Sequence, residues 1–186
     1  MAHRVCPWWL GYFLISPVRR WMGGAPDKVL KSYIREGMTV LEPGPGMGYF
    51  TLEIARNVGT TGRVIAVDVQ PKMVEKLKAR AKRSGLLNRI DARVVEGDSM
   101  GLADLDSKVD FTLIFAMLHE VPAPDRFLVE IAKASRQGGT VLLAEPAGHV
   151  ADEAFADELK LAAQAGLEVI DRPSIRRSHA ALLKKS

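Results

Sequence analysis

Glycine spacing is the strongest chemical signal in this chain. Glu42 precedes three alternate glycines, Gly44, Gly46 and Gly48, inside the stretch Val40–Gly48. Glycine lets a backbone approach a ligand closely, and the first N–H groups of a following helix can point at that ligand. A carboxylate before the loop would repel a pyrophosphate but could accept hydrogen bonds from an ammonium group. The loop therefore predicts contact with a ligand that carries an amino group, and a purely structural tight turn is the alternative.

The loop also differs from the dinucleotide-binding fingerprint, which is G-x-G-x-x-G/A. Tyr49 stands where that fingerprint needs its third small residue. The spacing therefore speaks against a nicotinamide cofactor, although it leaves open other ligands that contain a nucleoside.

A second acidic position, Asp68, ends the apolar run Arg63–Asp68, and Val69 follows it. The carboxylate of Asp68 could accept hydrogen bonds from both hydroxyls of a ribose. Its distance from the glycine loop suits a nicotinamide cofactor equally well. Asp68 thus predicts a nucleoside ligand without choosing among nucleosides, and a helix N-cap is the alternative.

Two more polar stretches follow predicted strands. Asp98 and Ser99 come just after the run Ala92–Val95, and His119 and Glu120 come after the run Val109–Phe115. Histidine titrates near neutral pH, so His119 is a candidate general base and Glu120 a second one. The alternatives are a helix cap near Leu102 for Asp98 and a packed or capping role for His119.

Apolar runs that alternate with helical patterns predict the elements that position these residues. The predicted strands are Met38–Leu41, Gly62–Asp68, Ala92–Val95, Val109–Phe115, Thr140–Ala144, Leu167–Ile170 and Ala180–Leu183. Strands that alternate with helices imply βαβ units, a mostly parallel sheet and a doubly wound α/β fold. Only about nine residues separate the last two strands, too few for a crossover, so they should pair antiparallel at the C-terminal edge.

The glycine loop and its acidic residue resemble the first motif of the class I S-adenosylmethionine-dependent methyltransferases. That motif is an acidic residue followed by G-x-G-x-G at the end of the first strand. The glycine-led stretch Gly138–Pro146 is similar to the fifth strand of the family, and Gly166–Ile170 to the sixth. The similarity covers roughly residues 26–186. It implies a seven-stranded Rossmann-like sheet, S-adenosylmethionine as cofactor, and methyl transfer to a small, partly hydrophobic acceptor.

The resemblance also implies roles for individual residues. Asp98 would read the adenine amino group, and the stretch Leu118–Val121, similar to the L-H-x-hydrophobic segment of small-molecule methyltransferases, would face the transferred methyl. His119 is then the first catalytic candidate and Glu120 the second. The implied cofactor-binding residues are Glu42, Gly44, Pro45, Gly46, Gly48, Asp68, Val69, Asp98, Ser99 and Phe115. No metal site is expected.

Residues 1–25 form a separate apolar segment before the predicted domain at 26–186. The stretch Val5–Val18 is too short to span a bilayer, which needs about 20 apolar residues. Within it, Cys6–Val18 is expected to form a lid or wall of the acceptor site, with packing on the sheet and contact with a membrane surface as alternatives. The aromatic residues that would line the acceptor pocket are Trp8, Trp9, Tyr12 and Phe13.

Composition sets broader bounds on the function. The chain has 186 residues, a net charge of +4 and one cysteine, Cys6. One cysteine fits a reduced, cytoplasmic setting, and the mild positive charge without an aromatic-rich motif does not favour a nucleic-acid partner. Two alternatives to a methyltransferase remain from the residues alone: a nicotinamide-dependent oxidoreductase and a non-catalytic module that binds the cofactor.

Overall fold

The computed structural model describes residues 26–96 and 99–186, in which strands alternate with helices. The strands are β1 Thr39–Pro43, β2 Arg63–Asp68, β3 Ile90–Val94, β4 Val109–Phe115, β5 Ser135–Pro146, β6 Leu167–Asp171 and β7 Ser178–Lys185. The helices are α1 Pro26–Leu30, α2 Thr51–Asn57, α3 Pro71–Arg83, α4 Pro124–Ala134 and α5 Asp152–Gln164. Short 3-10 turns cover Leu87–Arg89, Ala103–Leu105 and Leu118–Glu120.

The strands form a seven-stranded sheet in the order β3-β2-β1-β4-β5-β7-β6. The prediction of an α/β fold with a mostly parallel seven-stranded sheet and a reversed C-terminal strand is therefore confirmed. The position of the reversed strand differs from the prediction: β7 pairs antiparallel with both β5 and β6, so β6 forms the edge. Burial explains the order, because β7 buries Ala180, Ala181 and Leu183, whereas β6 buries only Leu167.

The chain divides into two compact units, with the boundary between Glu96 and Gly97. In the first, β1, β2 and β3 are parallel neighbours, with Val40 opposite Val64 and Val64 opposite Ile90. The inner residues of β1 and β2 are buried on both faces because helices cover them, whereas β3 exposes Asp91. Helix α3 begins at Pro71, where a missing N–H costs nothing. Its buried face consists of Met73, Val74, Leu77 and Ala81.

In the second unit β4 and β5 are parallel, with Phe111 opposite Thr140 and Phe115 opposite Ala144. Helices α4 and α5 pack against each other. Because β4 and β5 run in the same direction, the residues after Phe115 and Ala144 emerge at the same end of this pair. The core of the unit includes Phe111, Leu113, Ile114, Leu128, Ile131, Leu142 and Leu143.

Several element boundaries depart from the sequence pattern, two of them by four residues or more. Helix α1 ends at Leu30, although its helical spacing continues to Ile34; the Leu30 carbonyl accepts from the N–H groups of both Tyr33 and Ile34 in the turn that follows. Strand β5 starts at Ser135, five residues before the predicted Thr140, with an irregular register beside β4. Within the two described ranges, no helix has the length and hydropathy that crossing a bilayer requires.

Candidate active site

The glycine loop after β1 owes its shape to three residues in the left-handed region. Gly44, Gly46 and Gly48 have φ angles of 65°, 54° and 84°. Side chains with a Cβ adopt such angles at a cost of about 1–2 kcal/mol each. Alternate glycines are therefore what this backbone needs, and the spacing read from the sequence is explained by the conformation.

The glycines differ in what surrounds them. A Cβ on Gly46 would meet no atom within 4 Å, whereas a Cβ on Gly48 would lie 2.5 Å from the Cδ1 atom of the fully buried Leu77. Gly48 is thus required for packing against α3, and Gly46 borders open space. That open space is where a ligand could approach the backbone.

Asp68, at the end of β2, is joined directly to this loop. The N–H of Gly46 donates to Asp68 Oδ2 at 3.2 Å, and the N–H of Gln70 donates to Oδ1 at 2.9 Å. Burial raises the pKa of Asp68, and these two backbone hydrogen bonds act in the opposite direction. Gln70, not Asp68, occupies the N-cap position of α3, so the helix-cap alternative does not explain this carboxylate.

The other predicted site residues of this unit are Glu42, Pro45 and Val69. The side chain of Glu42 is buried, with an exposed fraction of 4% for the residue, and Pro45 is also buried. Val69, beside Asp68, is by contrast 50% exposed. It is therefore accessible next to this carboxylate.

Arg80 is a loop contact that the sequence analysis missed. Its guanidinium, on α3, donates to the carbonyl of Met47 between the last two loop glycines. Partial burial lowers the pKa of Arg80, and the charges of Arg83 and Arg56 add to that effect. The helical lysines and arginines looked alike in sequence, and only the tertiary contact distinguishes this one.

In the second unit, a strained residue turns the chain at the end of β4. Ala116 has a φ of 55°, in the left-handed region, and its N–H donates to the Ala144 carbonyl at 2.7 Å. The turn directs the next two N–H groups at one carboxylate. Met117 donates to Glu145 Oε1 at 3.2 Å and Leu118 donates to the same oxygen at 2.7 Å.

His119 completes this arrangement. Its Nδ1 lies 2.5 Å from Glu145 Oε2, and the Glu145 side chain is fully excluded from solvent. The His119 side chain keeps 24% of its surface exposed. Its Nε2 lies 4.0 Å from Glu120 Oε1, beyond hydrogen-bond reach, and its ring centroid lies 6.3 Å from that of His149. The two predicted catalytic residues are thus adjacent, and His119 is held from its inner side.

A second carboxyl group belongs to the same surroundings. Glu158, on α5, has a pKa raised to about 7, chiefly by burial and further by the negative charge of Glu145. No local pattern indicated this pair, because Glu158 reads as one of several charged residues of an amphipathic helix.

The remaining predicted site residues are Ser99 and Phe115, which the structure describes, and five that lie outside the described residues. The Ser99 hydroxyl lies 3.2 Å from Glu130 Oε2, and Ser99 Oγ accepts from the Gly101 N–H at 3.1 Å, which gives Ser99 a local structural use. Phe115 is partly buried at the end of β4. Asp98 and the four aromatic residues of the N-terminal segment, Trp8, Trp9, Tyr12 and Phe13, lie outside the described residues.

The described ranges contain no group of three or more His, Cys, Asp or Glu side chains that could hold a metal ion. At the ends of β2 and β5, the carboxylates of Asp68 and Glu145 instead accept from backbone N–H groups, and Glu145 also contacts His119.

A family model described as a methyltransferase domain matches residues 34–172, about three quarters of the sequence. The chain belongs to this methyltransferase family. The predicted class I S-adenosylmethionine-dependent methyltransferase is thereby confirmed, and S-adenosylmethionine is its cofactor.

Individual relatives agree with the family. This methyltransferase is 30% identical over 114 residues to a ubiquinone/menaquinone biosynthesis C-methyltransferase of Hydrogenovibrio crunogenus, a match of 61% of the chain and 44% of the relative. It is 30% identical over 114 residues to a carboxy-S-adenosyl-L-methionine synthase of Dichelobacter nodosus, covering 61% of the chain and 47% of the relative. The matches thus span less than half the length of these curated relatives.

A solved structure covers more of the methyltransferase. The crystal structure of an S-adenosylmethionine-dependent methyltransferase from Aquifex aeolicus superposes with a TM-score of 0.86 at 24% identity, covering 98% of this chain and 100% of that one. The likeness supports the fold. The described residues also fit the cofactor, because Gly46 borders open space and Asp68 Oδ2 accepts from the N–H of that glycine.

Proposed function

We propose that this methyltransferase transfers the methyl group of S-adenosylmethionine to a small, partly hydrophobic acceptor. The observation that carries the proposal is the hydrogen bond from the Gly46 N–H to Asp68 Oδ2, which unites the glycine loop with the carboxylate expected to bind a ribose. A nicotinamide-dependent oxidoreductase has no support from the family match or from the glycine spacing.

Asp68 would accept hydrogen bonds from the ribose hydroxyls through the lone pairs that its two backbone donors leave free. Glu42 and the backbone of Gly44, Pro45, Gly46 and Gly48 would hold the amino-acid part, and Val69 would cover an apolar face of the nucleoside. Asp98 would read the adenine amino group, and Ser99 and Phe115 are the remaining residues proposed to bind the cofactor. S-adenosylmethionine, when bound, supplies a methyl group on a positively charged sulfur, which is already a good electrophile.

Catalysis then depends mainly on alignment, which can contribute roughly 7–11 kcal/mol when two reactants are held in a productive geometry. A base adds to this where the acceptor must lose a proton. His119 is the better of the two candidates, because Glu145 holds its ring while Nε2 stays on the side away from that carboxylate. Glu120 is less constrained, with 38% of its side chain exposed.

The N-terminal segment is assigned to the acceptor site. Residues 1–25 would close over the acceptor site, with Trp8, Trp9, Tyr12 and Phe13 as an apolar wall, or would contact a membrane surface. A cytoplasmic location and the absence of a nucleic-acid partner belong to the same proposal. Deletion of residues 1–20 tests the lid: unchanged turnover of the acceptor would disprove it, and lost turnover with retained cofactor binding would support it.

The first experiment is calorimetric titration of the purified protein with S-adenosylmethionine. We expect saturable binding with a micromolar Kd that Asp68→Ala weakens at least a hundredfold, because the ribose loses its charged acceptor. Asp157→Ala, at an exposed carboxylate paired with Lys160, serves as the matched control and should bind as the wild type does. NADH should not bind.

Mass spectrometry of the small-molecule products then separates the remaining outcomes. Formation of S-adenosylhomocysteine together with a methylated acceptor supports methyl transfer. A modified cofactor without a methylated acceptor would disprove it, and binding without any turnover across acceptor classes would indicate a non-catalytic module instead.

A further inference from the structure

A buried carboxylate lies on the inner side of His119. Glu145 is fully buried, and both oxygens of its carboxylate are engaged: Oε1 by the N–H groups of Met117 and Leu118, and Oε2 by His119 Nδ1. This arrangement does more than fill space, because it fixes which ring nitrogen carries the proton.

A carboxylate only accepts hydrogen bonds, and a neutral imidazole donates from one nitrogen and accepts at the other. The 2.5 Å contact with Glu145 Oε2 therefore places the proton on Nδ1. Nε2 is left with a free lone pair. Carboxylates that hold a histidine in one tautomer are well established in other folds.

The raised pKa of Glu158 agrees with this assignment. Burial causes most of that rise, and the negative charge of Glu145 adds to it. One negative charge then faces the ring from inside. On the outer side the titratable neighbours are Glu120, 4.0 Å from Nε2, and His149.

We propose that Glu145 is a positioning residue that presents the unprotonated Nε2 of His119 to the acceptor, and that the acceptor is consequently one whose reacting group carries a proton. This rests on the proposed function. Hydroxyl, secondary amine and acidic C–H groups fit that description. Tertiary amines and thioethers, which need no base, do not.

Methyl transfer is coupled to loss of the acceptor proton. The proton of the acceptor moves to His119 Nε2, the acceptor atom forms the new bond to the methyl carbon, and the electron pair of the broken carbon–sulfur bond stays on sulfur. The sulfonium charge disappears and an imidazolium charge appears. Glu145 on Nδ1 stabilises that imidazolium, and Glu120 lies close enough to Nε2 to do so from the other side. Water then removes the proton.

The tautomer can be measured without knowing the acceptor. Long-range proton–nitrogen NMR on protein labelled with ¹⁵N-histidine, assigned with His119→Asn, should show His119 protonated on Nδ1 at about pH 8. In Glu145→Gln the introduced amide can donate to Nδ1, so the proton should move to Nε2. Glu153→Gln, the same change at an exposed position of α5, should leave the tautomer unchanged. A wild-type ring protonated on Nε2 would overturn the proposal even if Glu145→Gln failed to fold.

The acceptor class is tested with two matched probes in the presence of saturating S-adenosylhomocysteine. We expect 4-butylphenol, which has a proton to give, to shift the His119 Nε2 resonance and to bind at least tenfold more tightly than 4-butylanisole, which has none. Glu145→Gln should abolish this preference. Equal binding of the two probes, or no shift with either, would overturn the acceptor class.

The two proposals fail in different ways. Loss of S-adenosylmethionine binding would disprove the proposed function and leave the tautomer result standing. Intact cofactor binding with a tautomer that Glu145→Gln does not change would disprove the role of Glu145 alone.

Discussion

Glu145 Oε2 lies 2.5 Å from Nδ1 of His119, at a carboxylate that no solvent reaches. The partner oxygen binds two backbone N–H groups that would otherwise be unpaired inside the protein. Glu145 therefore stabilises the turn that follows β4 and also holds the imidazole ring of His119.

Removal of this carboxylate should be costly for stability. Glu145→Ala leaves the N–H groups of Met117 and Leu118 without their acceptor, so we expect the free energy of unfolding to fall by about 3 kcal/mol. Glu145→Gln keeps one acceptor oxygen and should lose less, about 1 kcal/mol. Urea denaturation measures both. Glu153→Ala, at an exposed site, should stay within about 0.5 kcal/mol of the wild type, and equal losses in the two Glu145 variants would contradict the assignment.

Glu158 should make stability depend on pH. Its pKa is raised from 4.5 to about 7 in the folded protein, so between these values the folded state binds more protons than the unfolded state does. Stability contributed by this group is then present at acid pH and is lost as the pH rises through 7. Glu158→Gln does not titrate. Its Tm relative to the wild type should therefore rise by a few degrees between about pH 5 and pH 8.

The comparison of Tm values needs only differential scanning fluorimetry at the two pH values. Glu153→Gln again provides the control, because an exposed carboxylate on the same helix should give the same difference from wild type at both. A pH-independent difference for Glu158→Gln would show that its neighbours do not perturb this carboxyl group.

Alanine substitutions at two glycines of the loop should differ in their effects on cofactor binding and on stability. Gly46→Ala places a methyl group where no atom lies within 4 Å, so it should cost about 1 kcal/mol of stability for its φ angle alone. It should nevertheless weaken S-adenosylmethionine binding at least tenfold, since the methyl group occupies the ligand side. Gly48→Ala meets Leu77 and should lose about 2 kcal/mol or more. Calorimetry and urea denaturation check the pair, and unchanged binding in Gly46→Ala would contradict the loop assignment.

Arg80 should act on the cofactor through the loop. Without its hydrogen bond to the Met47 carbonyl, Arg80→Met leaves the loop less firmly held, and we expect about a tenfold weaker Kd for S-adenosylmethionine. Arg83→Met, an exposed residue of the same helix, should bind normally. Titration calorimetry distinguishes them. Equal affinities would show that the contact is unimportant for the loop.

Ala116 should be more stable as glycine. The left-handed φ of 55° costs alanine about 1–2 kcal/mol, and glycine loses roughly 0.5–1 kcal/mol more entropy on folding. The balance is a gain of about 0.5 kcal/mol for Ala116→Gly. Ala79→Gly, at an exposed position inside helix α3, should instead lose about 1 kcal/mol. Opposite signs in urea denaturation confirm the strain, and a loss at Ala116 would refute it.

The sequence by itself determined the fold class and the order of the elements, because both depend on local patterns. Apolar runs of strand length and helices with one buried face can be read directly, and β4 was predicted at its exact bounds, Val109–Phe115. The glycine loop was equally readable, since alternate glycines are the residues that tolerate its φ angles.

Tertiary structure decided what depends on pairing between distant segments. No local pattern places β7 inside the sheet and β6 at its edge, because that choice follows from which strand has more apolar surface to bury between neighbours. The partnership of His119 with Glu145 spans 26 residues and requires the parallel register of β4 and β5, with Phe115 opposite Ala144. Packing also decides which basic residue of α3 reaches the Met47 carbonyl, and that residue is Arg80. The effect of Glu145 on the pKa of Glu158 likewise arises only when packing brings the two carboxyl groups together and removes water.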